Sequence, residues 1–211
     1  MPIRLRITFS KSSPMKYVGH LDLHRSWERA FRRSGMPLAY SQGFHPQPHL
    51  NLACALPLGF TSQCELLDAW LETDFTVQQI VDCLQPALPP GLEIIHLEPV
   101  DLRAPALQTQ VVSAIYAITF LDAVPALPER LHRVLSAEQL PRQRRGKPYD
   151  LRPLIEKADL AESDGTSGYI LHVQLAARES ATGRPEELLS ELDIRLEDTR
   201  IHREKLVLIT N

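Results

Sequence analysis

The sequence predicts an α+β protein of two halves with antiparallel sheets, and three observations lead there. Apolar residues alternate in short runs such as Ile3, Leu5, Ile7 and Phe9, which is the period of a strand with one apolar face. Between such runs stand stretches with helical spacing, the clearest over residues 20–34. The succession of strand, helix, strands, helix and strand then partly recurs after residue 110, without visible sequence identity between the halves.

Each element has a local reason. In residues 20–34, Leu23, Trp27, Ala30 and Phe31 fall on one helical stripe, and Gly35 is a natural stop. Extended segments are expected at residues 37–40, 50–56 and 65–71. A helix follows from Thr76 through Leu84 and is closed by the breaker run PALPPG, before extended residues 92–97. The order β-α-β-β-β-α-β is a ferredoxin-like (split βαβ) plan with one added strand. The segment VDLRAPALQTQ is the candidate linker, which gives halves at residues 1–100 and 108–211. In the second half, strands are expected at residues 111–120, 169–176 and 201–209, and helices at 128–135 and 184–192. A basic insertion occupies residues 139–160.

With 211 residues, 44% hydrophobic and 23% charged, the chain has the composition of a globular protein with a sizeable core. No apolar run suggests a membrane span, and the opening MPIRLRITFSKS lacks a signal peptide's apolar centre, so the expected location is the cytoplasm. Cys54, Cys64 and Cys83 are widely spaced. They read as reduced, partly buried thiols rather than as a disulfide frame, a zinc site or a cluster ligand set. Charge is unevenly spread. Residues 1–50 hold eight Lys/Arg against two acids, and residues 51–100 hold seven acids and no Lys or Arg. The basic quarter can face an anion such as a phosphate backbone, or it can pair with the acidic quarter that follows it.

Three stretches carry candidate site residues. On the helix HLDLHRSWERAFRRSG, the residues Asp22, Arg25, Arg29, Arg32 and Arg33 share the arc opposite Trp27 and Phe31. Guanidinium groups crowded on one arc suit bidentate phosphate contacts, or form a solvated face balanced by Asp22 and Glu28. His20, Asp22 and His24 superficially resemble a metal set. A helix puts the two histidines on one side and Asp22 on another, so no metal is expected. The second stretch is YSQGFHPQPH. Gly43 permits a positive φ, while Pro46 and Pro48 stiffen the chain. Tyr40, Ser41, Gln42, Gly43, Phe44 and His45 then form either a clamp for a phosphate or base edge, or a stiff hairpin. This loop is expected to lie against the Arg25/Arg29 face, because the connection is short. The third stretch, RQRRGKPYDLRP, sets Lys147, Asp150 and Arg152 around a basic turn, with Tyr149 free to stack on a base. It is expected to approach the same cleft, with Asp150 orienting an arginine; otherwise it is a flexible charged surface loop.

No Gly-rich phosphate loop, nucleophile elbow or dinucleotide fingerprint occurs. The run from His20 to Asp68, HLDLHRSWERAFRRSGMPLAYSQGFHPQPHLNLACALPLGFTSQCELLD, resembles the radical-SAM-linked family of unknown function, and RRGKPYDLRPLI resembles its second, weaker block. The resemblance implies a domain fused to, or encoded beside, a B12-binding-type radical SAM protein. Its motif positions here are His20, Asp22, Arg25, Arg29, Ser41, Gly43, Phe44, Pro46, Pro48, Glu65, Lys147, Asp150 and Arg152. The cluster-binding cysteines would belong to the partner, and no cofactor is expected in this chain.

These readings converge on a non-catalytic accessory or substrate-recognition module for a radical SAM enzyme, binding RNA or a ribosome-related substrate and no membrane. The alternatives are a metal-independent RNA-processing enzyme of tandem ferredoxin-like fold, using His20, His45 and Tyr40 as acid and base, and a purely protein-binding scaffold.

Overall fold

In the computed structural model, which describes residues 2–163 and 168–209, the first alternating run is strand β1 (Ile3–Lys11). It is followed by helix α1 (His20–Ser34), strands β2 (Leu50–Leu52) and β3 (Thr61–Leu71), helix α2 (Val77–Leu84), strand β4 (Leu92–Val100) and the single turn α3 (Leu107–Gln110). Strand β3 pairs antiparallel with β1 and with β2, and β1 pairs antiparallel with β4, so the strand order is β2-β3-β1-β4. One sheet face carries Leu5, Ile7 and Phe9 of β1 and Leu67, Ala69 and Leu71 of β3. These bury against Trp27 and Phe31 of α1 and Ile80 and Leu84 of α2. The rings of Phe9 and Trp27 meet edge to face, 4.8 Å apart. Helix α2 starts from a reciprocal cap in which Thr76 and Gln79 each satisfy the other's backbone amide.

Two expectations for this part of the chain are corrected. Residues 37–40 form no strand, only isolated bridges from Leu38 to Leu71 and from Tyr40 to Pro48, and β2 stops at Leu52. Pro37 and Pro48 lack the N–H that a continuous ladder needs. Residues 101–110 of the candidate linker are packed against β1. Arg4 donates to the carbonyls of Ala104 (2.6 Å) and Pro105 (2.8 Å), Arg6 donates to the Gln110 side chain, and Leu107 is fully buried. The chain divides into two compact units, Met1–Val111 and Val112–Asn211, at the start of the next strand.

That strand is β5 (Val111–Phe120), and the second unit continues with α4 (Leu127–Ser136), β6 (Pro141–Arg144), β7 (Lys147–Asp150) and β8 (Ile155–Glu162). It ends with β9 (Tyr169–Arg178), β10 (Ala181–Thr182), α5 (Pro185–Glu191) and β11 (Thr199–Leu208). Here β9 pairs antiparallel with β5 and with β8, β10 turns back on the end of β9, and the strand order is β8-β9-β5-β11. Ile118, Leu171, Val173 and Leu175 of its strands and Leu131 and Leu188 of its helices are buried. The supposed basic loop is structured. β6 and β7 form a hairpin whose two turn residues, Arg145 (φ 52°) and Gly146 (φ 76°), both take the left-handed conformation of a tight primed turn. β8 is then a sheet strand. Its alternation is masked in the sequence because the register shifts between Ile155 and Lys157. The protein is therefore a mixed α+β protein with largely antiparallel pairing. No helix among the described residues is long and apolar enough to cross a membrane.

Candidate nucleic-acid interface

Burial of Leu23, Trp27, Ala30 and Phe31 fixes the rotation of α1 and sends Arg25, Arg29 and Arg32 to the solvent face. On that face Asp22 and Arg25 form one loose pair, 3.2 Å apart, with both side chains about two-thirds exposed (67% and 65%). Arg29 and Arg32 have no carboxylate within ion-pair distance among the described residues. Arg33 turns aside and donates to the carbonyl of Ala87. His20 begins the helix at the surface. Partial desolvation lowers its pKa, repulsion from His24 lowers it further, and Glu65 pulls the other way. His24 Nε2 lies 3.2 Å from the carbonyl of Leu50, so its imidazole is used to hold α1 to β2.

Residues 40–48 form a hairpin rather than an open clamp. Tyr40 bridges Pro48, the amide of Ser41 donates to the carbonyl of Gln47 (2.8 Å), and the amide of Gln47 donates to the Ser41 hydroxyl (2.9 Å). Gly43 sits at φ 138°, a conformation open to glycine. The tip side chains Gln42, Phe44 and His45 project into solvent, with Phe44 fully exposed and Tyr40 at 46%. The base is held firmly. The amide of Ala39 donates to Trp70, that of His49 to Ala39 and that of Trp70 to His49, while the His49 ring stacks on Trp70 at 4.0 Å. No hydrogen bond or ion pair joins the hairpin to Arg25 or Arg29 among the described residues. Their connection runs through His24 and Leu50.

Behind Trp70 lies a charged network that no local sequence motif announces. Arg4 and Arg6, which alternate with the apolar residues of β1, are 2% and 8% exposed. Both donate to Asp68, which is fully buried, at distances from 2.6 to 3.0 Å, and the Arg4 guanidinium stands 4.8 Å over the Trp70 ring. The signal was the alternation in β3: Leu67, Ala69 and Leu71 face the core, which leaves Asp68 and Trp70 on the face shared with Arg4 and Arg6.

The third stretch lies in the second unit, and most of its charge is spent there. Arg142 pairs with Glu191 (2.8 Å), and Arg144 pairs with both oxygens of Glu187 (2.8 Å each) and stacks on Tyr149 at 4.7 Å. Desolvation and the neighbouring Glu187 raise the pKa of the Tyr149 hydroxyl. Asp150 orients no guanidinium among the described residues. Its Oδ1 accepts from the amides of Leu140 (2.7 Å) and Arg152 (2.9 Å) and so closes the base of the hairpin. Arg152 donates to the carbonyls of Leu135 and Ile155, finishing the C-terminal end of α4. Lys147 stays exposed. A larger cleft in this unit, about 400 Å³, is lined by Asp122, Arg130, Asp193, Arg195 and Asp198, a set with more carboxylates than cations that suits no phosphate. Cys54 and Cys64 are half-buried, and Cys83 is exposed rather than partly buried. Among the described residues no group of three or more His, Cys, Asp or Glu is placed to hold a metal ion.

An antiparallel α+β protein that presents an arginine-lined helix face and a proline-stiffened aromatic hairpin is the class that fold and site define. The chain belongs to the family DUF2344, described as an uncharacterized protein conserved in bacteria, whose profile matches residues 4–185. No curated protein matches it. Among solved structures it is similar to the acetolactate synthase small subunit from Thermotoga maritima, at 10% identity and a TM-score of 0.30, over 100% of this chain and 98% of that one.

Proposed function

We propose that the protein is a non-catalytic RNA-recognition module that presents a substrate to a radical SAM enzyme in the cytoplasm. The two units would be tandem ferredoxin-like (split βαβ) modules, each with two helices on a four-stranded sheet. The observation that supports RNA contact is the α1 face, where Arg25, Arg29 and Arg32 are exposed with Asp22 as the one paired acid among the described residues. Arginines that lack internal carboxylates repel one another and gain most from an external polyanion. The exposed Phe44 and Tyr40 of the hairpin add ring faces on which unpaired bases stack. The radical SAM partner rests on the motif resemblance alone.

The test is binding of a fluorescently labelled single-stranded RNA by anisotropy across a salt series. Replacing Arg25 and Arg29 with Ala should weaken binding and flatten the log–log salt slope by about 0.7 for each lost phosphate contact. Stability should stay nearly unchanged, because exposed arginines contribute little. Unchanged RNA affinity in the folded double variant removes the α1 face, and RNA cleavage persisting in EDTA would replace recognition by catalysis.

A further inference from the structure

The β6–β7 hairpin encloses a feature that its ion pairs do not use. Together with Leu154 and the β9–β10 turn it lines an open cleft of about 280 Å³. Three properties of the cleft point to one ligand chemistry. Its lining is largely apolar, with Pro148, Tyr149, Leu154 and Ala181 contributing. One wall is planar: the Arg144 guanidinium lies 4.7 Å from the Tyr149 ring centre and is held by two 2.8 Å bonds to Glu187. Lys147, which also lines the cleft, has no ion-pair partner among the described residues, so its charge is available. Lys147 and Tyr149 are two apart on β7 and therefore share a face of that strand. A ring resting on the Arg144–Tyr149 layer would thus bring a nearby anionic group within reach of the lysine. The one carboxylate in the lining, Asp150, already accepts two backbone amides, which softens its repulsion of an anion.

We infer that this cleft holds one unstacked nucleotide, with the base against the Arg144–Tyr149 layer and the phosphate at Lys147. A volume of about 280 Å³ lies at the low end for small-molecule sites, which suits a single ring system rather than a dinucleotide. Base stacking on an aromatic wall and a charge-assisted phosphate contact are the two interactions that make such sites selective. The nucleotide is either free or one residue of an RNA strand. Only the second source rests on the RNA reading above, and the cleft does not involve α1.

The experiment is amide chemical-shift mapping on the full chain with uridine 5′-monophosphate, uridine, inorganic phosphate and a short uridine oligonucleotide. Uridine 5′-monophosphate should shift amides of residues 144–150 and 180–182. Lys147→Ala should weaken it about tenfold and leave uridine unaffected. Tyr149→Leu should weaken both, and Tyr149→Phe, which keeps the ring, should restore binding and guards against a simple folding defect. Tighter binding of the oligonucleotide assigns the source to RNA, and equal binding assigns it to a free nucleotide. The inference is overturned if inorganic phosphate shifts the hairpin as strongly as the nucleotide, or if neither nucleotide nor oligonucleotide shifts it. RNA binding that depends on Arg25 and Arg29 without any hairpin shift would leave the proposed function standing and remove this site alone.

Discussion

Asp68→Ala is the substitution whose cost follows most directly from the structure. The carboxylate is fully buried and accepts from Nε and Nη2 of both Arg4 and Arg6, at 3.0 and 2.6 Å from the first and 2.8 and 3.0 Å from the second. Removing it leaves two guanidiniums, 2% and 9% exposed at the side chain, without their counter-charge. Breaking a buried pair by deleting one partner costs about 3–5 kcal/mol, chiefly because the surviving charge stays buried. Two survivors push towards the upper end. The carbonyls of Ala104 and Pro105 still solvate Arg4 and pull the other way, so a loss of about 4 kcal/mol is expected. Asp68→Asn keeps an acceptor and the shape while removing the charge, so it should cost less than the alanine. Both tryptophans, Trp27 and Trp70, belong to the same unit, so their fluorescence during urea unfolding reads the unit that holds the network. The loss should be about the same at low and high salt, because a buried pair is poorly screened. A loss under about 1 kcal/mol with an unchanged urea slope would refute the view that Asp68 is the needed counter-charge.

Two further outcomes are expected. Trp27→Ala should destabilise by about 3–5 kcal/mol as a fully buried aromatic. Trp27→Phe should cost much less, because the indole N–H finds no acceptor among the described residues, and equal costs in urea titrations would contradict that ranking. His20 should titrate below the free imidazole range, since desolvation and His24 disfavour its charge, with Glu65 opposing. A base whose folded pKa is depressed contributes stability that is present above about pH 6.5 and lost as the pH falls through the folded value. Imidazole proton shifts in NMR check this: Glu65→Gln should lower the His20 midpoint further and His24→Gln should raise it.

Sequence periodicity reached the elements whose information is local. Helix α1 has its stripe and its Gly35 stop within sixteen residues, and α2 carries its Thr76 cap beside its first turn. The pieces that stayed hidden depend on partners far along the chain. Arg4 and Arg6 look like a solvent-facing strand edge until Asp68 arrives opposite Arg6 across the β1–β3 ladder. The β6–β7 hairpin has strands PRQR and KPYD with no apolar alternation, and its turn opens with Arg at positive φ where Asn or Asp would have announced it. In residues 40–48 the glycine and prolines marked the turn, whereas the His49–Trp70 stack that anchors it joins residues twenty-one apart.

The sequence posed the choice between a basic quarter that meets an external anion and one that pairs with the acidic quarter after it. The structure divides the arginines instead of choosing. Strand β1 runs beside β3, so Arg6 falls opposite Asp68 of the acidic quarter with Arg4 on the same face, and both are neutralised inside the fold. Helix α1 must bury Trp27 and Phe31, and that rotation leaves Arg25, Arg29 and Arg32 exposed. Arg142 and Arg144 repeat the first fate, on Glu191 and Glu187. An arginine's role in this protein is therefore set by the element that orients it rather than by local charge density. The density of basic residues is as high in RQRRGK as in RAFRR, yet the carboxylates of α5 reach two of the arginines in the first, and none in ion-pair reach meets Arg29 or Arg32 in the second among the described residues. The proposed polyanion contact is for that reason placed on α1, while the hairpin of the second unit keeps Lys147 exposed beside a planar wall.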